Sequence, residues 1–210
     1  MSAPGAVDPS LQRAIDALAP PGLLIGHREI WPDDEFALLD AEAAAMASVA
    51  VERRRASGAA RHVARGLMTR LGYAQPPVLK GASGAPVWPA GLTGSMAHDD
   101  RIAVAAVGLQ LDIAAVGIDV EPAVPLPDDM LELIATPQEL RSMADDPLRG
   151  KLLFAAKEAV YKAVHPLDGV FLEFHDIEVD IAGHKATTRT GRALTLRMCM
   201  SSHVVVLALG

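Results

Sequence analysis

The sequence predicts an α+β fold made of two α+β halves meeting near residues 110–116. Three observations carry this. Half of the 210 residues are hydrophobic, enough for a substantial core. Helix-period and strand-period patterns occur in blocks, helices followed by strands, and that order is run through twice. No low-complexity linker separates the blocks, so the halves are expected to pack tightly. The division is placed between residues 113 and 114, giving 1–113 and 114–210.

The elements follow in order. Residues 1–20 are rich in Ala and Pro and read as loosely held, with a short helix over Leu11–Leu18. Leu23–Ile30 reads as a strand that Trp31-Pro32 ends. Asp40 followed by Glu42 suits a helix start and Gly72 a helix stop. A break is expected near Ala50–Arg53, because an unbroken helix of that length is unusual in a globular domain. Its second part, Arg54–Leu71, sets Val63, Leu67, Met68 and Leu71 on one face. Arg53, Arg54, Arg55, Arg61, Arg65 and Arg70 crowd the remaining surface with no acid among them.

Pro76–Gly91 is turn-rich, and Val78–Lys80 with Ala85–Trp88 makes a hairpin around Gly81–Gly84. Gly94–His98 and Ile102–Val107 read as consecutive strands joined at Asp99-Asp100, with Ala114–Glu121 as the next. Pro122–Pro127 is a stiff connector, and Leu131–Ile134 is a helical turn or two. Thr136-Pro137-Gln138-Glu139 is a capping box with Pro at the first helical position. Asp146-Pro147 opens a further helix that Pro166 is expected to stop. Phe171–Phe174, Ile177–Ile181, Lys185–Thr190, Ala193–Met200 and Val204–Leu209 read as strands.

A net charge of −7 argues against wholesale binding to nucleic acid or to an anionic membrane. The single Cys199 forms no intrachain disulfide and fits a reducing compartment; lying in an apolar strand, it reads as inert. The N-terminus has no basic region of a secretory signal, and no apolar run reaches bilayer length. The expectation is a cytoplasmic monomer without nucleic-acid or membrane partners.

Chemistry concentrates in two stretches. In Val116–Glu121, Asp119 and Glu121 are two apart, so on a strand both face one side while Ile118 and Val120 face the other. Two carboxylates so placed repel unless a cation lies between them, and Mg²⁺ suits a few oxygen ligands plus phosphate. A strand end whose acids face water is the plainer alternative. In Leu153–Ala163, Glu158 and Lys162 form an i,i+4 pair that a surface salt bridge would explain. Against that, the pair is surrounded by Phe154, Ala155, Ala156, Ala159, Val160 and Ala163, and charges in such a helix are costly unless paired or bound to a ligand. Lys80 sits at a glycine turn where a backbone can approach a ligand, or is simply solvated. His98 lies beside Asp99-Asp100, which would favour its protonated form. The arginine cluster reads as a solvated face, as a nucleic-acid patch, which the acidic total disfavours, or as a phosphate site, for which the guanidinium fork is suited.

Taken together and in order over residues 50–180, these segments resemble the 4′-phosphopantetheinyl transferases, in particular the longer single-chain class that includes surfactin- and enterobactin-type enzymes. The matching blocks are Arg53-Arg54 with Arg61–Arg65, Val78–Gly81 through Gly84–Pro89, Gly94–His98, Gly117–Glu121, and Phe154–Lys162. The resemblance implies a pseudo-twofold α+β fold with coenzyme A as substrate between the halves. It implies that Asp119, Glu121 and Glu158 ligate Mg²⁺, with Mn²⁺ as an alternative. It further implies that Arg53, Arg61, Lys80, Ser95, His98 and Lys162, with Asp119, hold the coenzyme A phosphates, and that Leu172 touches the pantetheine arm. The implied reaction moves the 4′-phosphopantetheine arm to a serine of an apo acyl, peptidyl or polyketide carrier protein and releases 3′,5′-ADP. Glu158 would be the base, and Lys157 or Lys162 would offset charge on the phosphates. Secondary-metabolite and siderophore biosynthesis are the implied settings. Two alternatives use the same residues: a Mg²⁺-dependent pyrophosphohydrolase of coenzyme A or a nucleotide, and a non-catalytic coenzyme A-binding module. The sequence departs from the family pattern at Ala56-Ser57, where an acidic–aromatic pair is common, and at Asp99, where a cysteine is common. The first implies different packing of that helix, and the second more negative charge beside the phosphate site.

Overall fold

The computed structural model describes residues 7–142 and 146–210. Residues 1–6 of the stretch expected to be loosely held lie outside it. Helix α1 (Pro9–Asp16) is capped by Asp8, whose carboxylate accepts from the Ser10 and Leu11 amides, with Pro9 at the first helical position. This cap sets the helix two residues earlier than Leu11–Leu18. Strand β1 (Leu23–Glu29) follows, then a 3₁₀ turn at Pro32–Ala37. Helices α2 (Asp40–Ala45) and α3 (Val51–Arg70) are separated at Met46–Ala50, slightly ahead of the expected break. Gly72, at φ +82°, ends the run in the left-handed conformation that glycine adopts without steric cost.

The first half then supplies the hairpin β2 (Leu79–Lys80) and β3 (Pro86–Val87), followed by β4 (Leu92–His98) and β5 (Ile102–Leu109). Strands β1, β5 and β4 form an antiparallel sheet in that order, with Ile25 opposite Ala106 and Ser95 opposite Ala106 on the other side. The second half begins with β6 (Val116–Pro122). It continues through α4 (Asp128–Ile134), α5 (Pro137–Ser142) and α6 (Arg149–Asp168), then β7 (Ile177–Asp180), β8 (Lys185–Thr188), β9 (Ala193–Met200) and β10 (His203–Leu209). Its antiparallel sheet runs β6-β10-β9-β8-β7, with Asp119 opposite Val206.

Helix α3 covers one face of the first sheet through Ala64, Leu67 and Met68, against Ala105 and Val107. Helix α6 covers the second through Ala155, Ala156, Ala159, Val160 and Ala163. The opposite faces of both sheets share one cluster, in which Ile25 and Val104 meet Ile118, Val120, Val205 and Leu207 under α1. Burying these apolar faces against each other locks the sheets together at a seam between β4 and β6. No described helix is long and apolar enough to cross a membrane.

Three expectations are corrected. The last long helix does not stop at Pro166. It loses one backbone bond there and runs to Asp168, where Gly169 closes it in the left-handed conformation. It also starts at Arg149 rather than at the Asp146-Pro147 signal. Phe171–Phe174 is not a strand: the Glu173 amide donates to Asp176, a 3₁₀ turn forms over Phe174–Asp176, and the Phe174 carbonyl accepts from Lys157.

The arginine cluster is a solvated face only in part: Arg53 and Arg70 are exposed. Arg54 and Arg55 pair with Glu35, and Arg61 and Arg65 turn inward toward buried Glu42. Glu42 also accepts from the Leu39 amide, which starts α2, and from the Val78 amide, which anchors the hairpin. The small residues Ala56-Ser57-Gly58 let the 3₁₀ turn lie directly on α3: a Cβ at Gly58 would run into the Asp34 carbonyl.

Candidate active site

The site is assembled where α6 crosses β6. Gly117 makes the crossing possible, because a Cβ there would collide with the Ala159 carbonyl oxygen and the Ala163 amide of α6. Asp119 and Glu121 lie on the same side of the strand as Gly117, so the helix rests over them. Ser95 ties in the other half: its buried hydroxyl accepts from the Ile118 amide across the seam at 3.1 Å.

Asp119 is buried, and its Oδ1 lies 2.5 Å from Lys162 Nζ. Its Oδ2 is buried with no hydrogen-bond partner. Burial pushes its pKa up to about 6; Lys162 opposes the rise and Glu158 adds to it. Glu121 is also raised, by burial and then by Asp119, against the pull of Lys151 at 3.2 Å. Glu158 has no cation within salt-bridge distance among the described residues, so the i,i+4 surface pair that the spacing allowed does not form. Lys162 turns to Asp119 instead.

Three acids therefore face two lysines. Among the described residues, no three acidic, His or Cys side chains are already gathered as a metal cage. The donors nevertheless fit a hard divalent cation. All are carboxylate oxygens, one is orphaned in the interior, and ionised they repel one another.

A pocket of about 300 Å³ opens beside this cluster, lined by Arg61, Lys80, Ser95, His98, Tyr161 and Lys162, with the hairpin turn Ser83–Pro86 as one wall. Five of the residues expected to hold phosphates thus meet at one place. Arg61 is partly committed, since its Nε donates to the Val78 carbonyl at 2.9 Å. Arg53 lies in an adjoining groove with Trp31 and Arg55, and His98 borders both spaces. Leu172 lies in a third depression with Glu158, Phe171 and Phe174, joined to the first through Tyr161.

His98 does not follow the expectation of a protonated ring. Burial lowers its pKa; a hydrogen bond with the Asp99 backbone opposes this, Lys162 and Arg53 lower it further, and the Asp99 carboxylate pulls weakly the other way. The Asp99 side chain is engaged elsewhere, accepting from the Arg101 and Ile102 amides and lying 3.0 Å from His203. Burial opposes ionisation there, but the hydrogen bonds from His203 and the Ile102 and Arg101 amides outweigh it and hold the Asp99 pKa below its ordinary value, so the carboxylate keeps its negative charge.

Lys157 is a second correction. It is fully buried, 2.8 Å from Glu139, and donates to the Ile134 and Phe174 carbonyls. Its ammonium is fully engaged there, so it holds the fold and does not offset phosphate charge. Lys151 and Tyr161 were missed. Lys151 is seven residues before Glu158, two helical turns along the same stripe, and that spacing was the available signal.

A sequence profile described as "4'-phosphopantetheinyl transferase N-terminal domain" matches residues 41–108, and one described as "4'-phosphopantetheinyl transferase superfamily" matches residues 115–206. The chain is 41% identical over 170 residues to the 4'-phosphopantetheinyl transferase Svp of Streptomyces mobaraensis, covering 78% of this chain and 69% of that protein. It is 37% identical over 170 residues to 4'-phosphopantetheinyl transferase Npt of Nocardia iowensis, covering 79% and 75%. With 4'-phosphopantetheinyl transferase PptT of Mycobacterium tuberculosis it shares 38% identity over 160 residues, 74% of this chain and 70% of that protein.

Proposed function

Because the chain belongs to the 4′-phosphopantetheinyl transferase superfamily, we propose that it moves the 4′-phosphopantetheine arm of coenzyme A to a serine of an apo carrier protein and releases 3′,5′-ADP. The observation that carries this reading is Asp119: a buried carboxylate with an orphaned oxygen, beside a pocket lined by Arg61, Lys80, Ser95, His98 and Lys162.

Each residue has a role that follows from its place. Lys80, Lys162 and Arg61 supply positive charge to the pyrophosphate, and Arg53 extends that charge along the adjoining groove. The Ser95 hydroxyl already accepts from the Ile118 amide, so its own proton is left to donate into the pocket. His98, held toward the neutral form, donates or accepts one hydrogen bond at the pocket mouth. Leu172 and Phe171 offer apolar surface to the pantetheine arm in the neighbouring depression. Glu158, without a cationic partner among the described residues and lining the neighbouring depression beside Tyr161, is our candidate for the base that takes the serine proton.

Asp119, Glu121 and Glu158 would hold the divalent ion, Mg²⁺ or Mn²⁺, which when bound supplies charge neutralisation to the pyrophosphate. The same reading divides the chain at 113/114 into two halves related by a pseudo-twofold. The two separate sheets and the break between the two profile matches support that division.

The test is incubation with coenzyme A and Mg²⁺, with and without an apo carrier protein, followed by chromatography for 3′,5′-ADP. Release that requires the carrier, together with a matching mass gain on it, supports the transferase. Release without the carrier would make the protein a pyrophosphohydrolase. Binding without turnover on any carrier would make it a coenzyme A-binding module.

A further inference from the structure

The hairpin that carries Lys80 has only two cross-strand residue pairs, Leu79 with Val87 and Lys80 with Pro86. A two-stranded ribbon this short is not stable alone, so its position is set by what it docks against. Its base is anchored within the first half, where Glu42 accepts from the Val78 amide and Arg61 donates to the Val78 carbonyl. Its tip is closed internally, by Gly81 N–H to the Ala85 carbonyl and Gly84 N–H to the Gly81 carbonyl. Among the described residues, the one hydrogen bond leading from the tip to the second half is made by His165.

His165 lies in the last turns of α6, one helical turn after Lys162. Its Nε2 is 3.2 Å from the Ser83 carbonyl, and its Nδ1 is 3.2 Å from the Val170 carbonyl. The ring with a proton on Nε2 donates to Ser83, and the doubly protonated ring donates to both carbonyls. The ring stacks on Tyr161 with centroids 4.9 Å apart, and Tyr161 meets Phe171 edge-on at 5.7 Å. His165 thus joins three walls of the two connected pockets: the hairpin tip, the helix, and the loop leading to Leu172.

We propose that His165 is a positioning residue that latches the Gly81–Ala85 hairpin tip to α6 and so fixes Lys80 against the phosphate-bearing part of the substrate. It touches no reacting atom. Its effect falls on substrate affinity, and it acts through Lys80. The proposal rests on the reading that this pocket receives coenzyme A.

The experiment uses the full chain with His165→Ala and His165→Gln, the latter keeping one amide donor. Amide hydrogen exchange is read in the protein without coenzyme A, and kinetics with coenzyme A and an apo carrier protein. In His165→Ala the Gly81 and Gly84 amides should exchange faster, with helix α3 unchanged. KM for coenzyme A should rise about fivefold, the size of one lost hydrogen bond, with kcat within about twofold. His165→Gln should recover part of both effects. Unchanged exchange at Gly81 and Gly84, or an equal loss of kcat with KM constant, would overturn the latch. The exchange result does not depend on the reaction, so a parent protein that fails to modify any carrier would reject the functional reading while leaving the latch to stand or fall on exchange alone.

Discussion

Helix α6 carries two lysines that each face a buried acid, and the two pairs are built differently. On one side Lys157 meets Glu139. Glu139 also accepts from the Thr136 and Val179 amides, while Lys157 also donates to the Ile134 and Phe174 carbonyls. On the other side Lys162 meets Asp119, whose second oxygen has no partner and whose neighbours Glu158 and Glu121 are also acids. A buried ion pair with all its hydrogen bonds made is architecture. One left incomplete holds its charges at a cost that the fold tolerates where a ligand completes it. The adjacent residues Lys157 and Glu158 belong to opposite sides of this division.

Substitutions on the two sides should separate activity from stability. Asp119→Ala should cut transfer to an apo carrier by at least about 10²–10³-fold, measured by initial rates, without lowering the melting temperature. Lys157→Met leaves Glu139 buried with its charge uncompensated and should cost about 3–5 kcal/mol in urea unfolding. If Lys157→Met folded normally and lost only kcat, the comparison would be broken. Gly117→Ala should cost about 1–3 kcal/mol and reduce transfer as well, since α6 must shift off β6 and carries Glu158 and Lys162 with it.

A pH series sharpens the same contrast. Asp119 is raised in the folded state, from an ordinary value of 3.8 to about 6, so folding favours its protonated form. Its contribution to stability is full below about pH 4 and is lost as pH rises through 6. Asp119→Asn mimics the protonated group, so its melting temperature relative to the parent should climb between pH 4 and 7 and then level off. The smallest effect concerns Cys199, whose thiol burial raises to about 11. Alkylation at pH 8 should be slow in the native protein and fast in urea.

Local signals in the sequence carried much of this. The capping box at Thr136–Glu139, the turn glycines and the short apolar runs that became β5 and β10 marked elements that the structure contains. The D-x-E spacing placed Asp119 and Glu121 on one face. What was not legible depended on partners distant in the chain. Glu139 read as a cap but not as the acid awaiting Lys157, eighteen residues later. Nothing near the arginines announced that Glu35 and Glu42 would neutralise four of them. Asp99 read as charge beside His98, but its contact with His203 was hidden because the two lie more than a hundred residues apart. Gly117 stood inside the quoted motif, but its reason, the close approach of α6, is a packing fact.

The most direct test is the intact mass of an apo carrier protein after incubation with coenzyme A, Mg²⁺ and either the parent chain or Glu158→Gln. The account predicts complete modification by the parent and an unmodified carrier with the variant, at an unchanged melting temperature. Modification by Glu158→Gln at the parent's rate would contradict it.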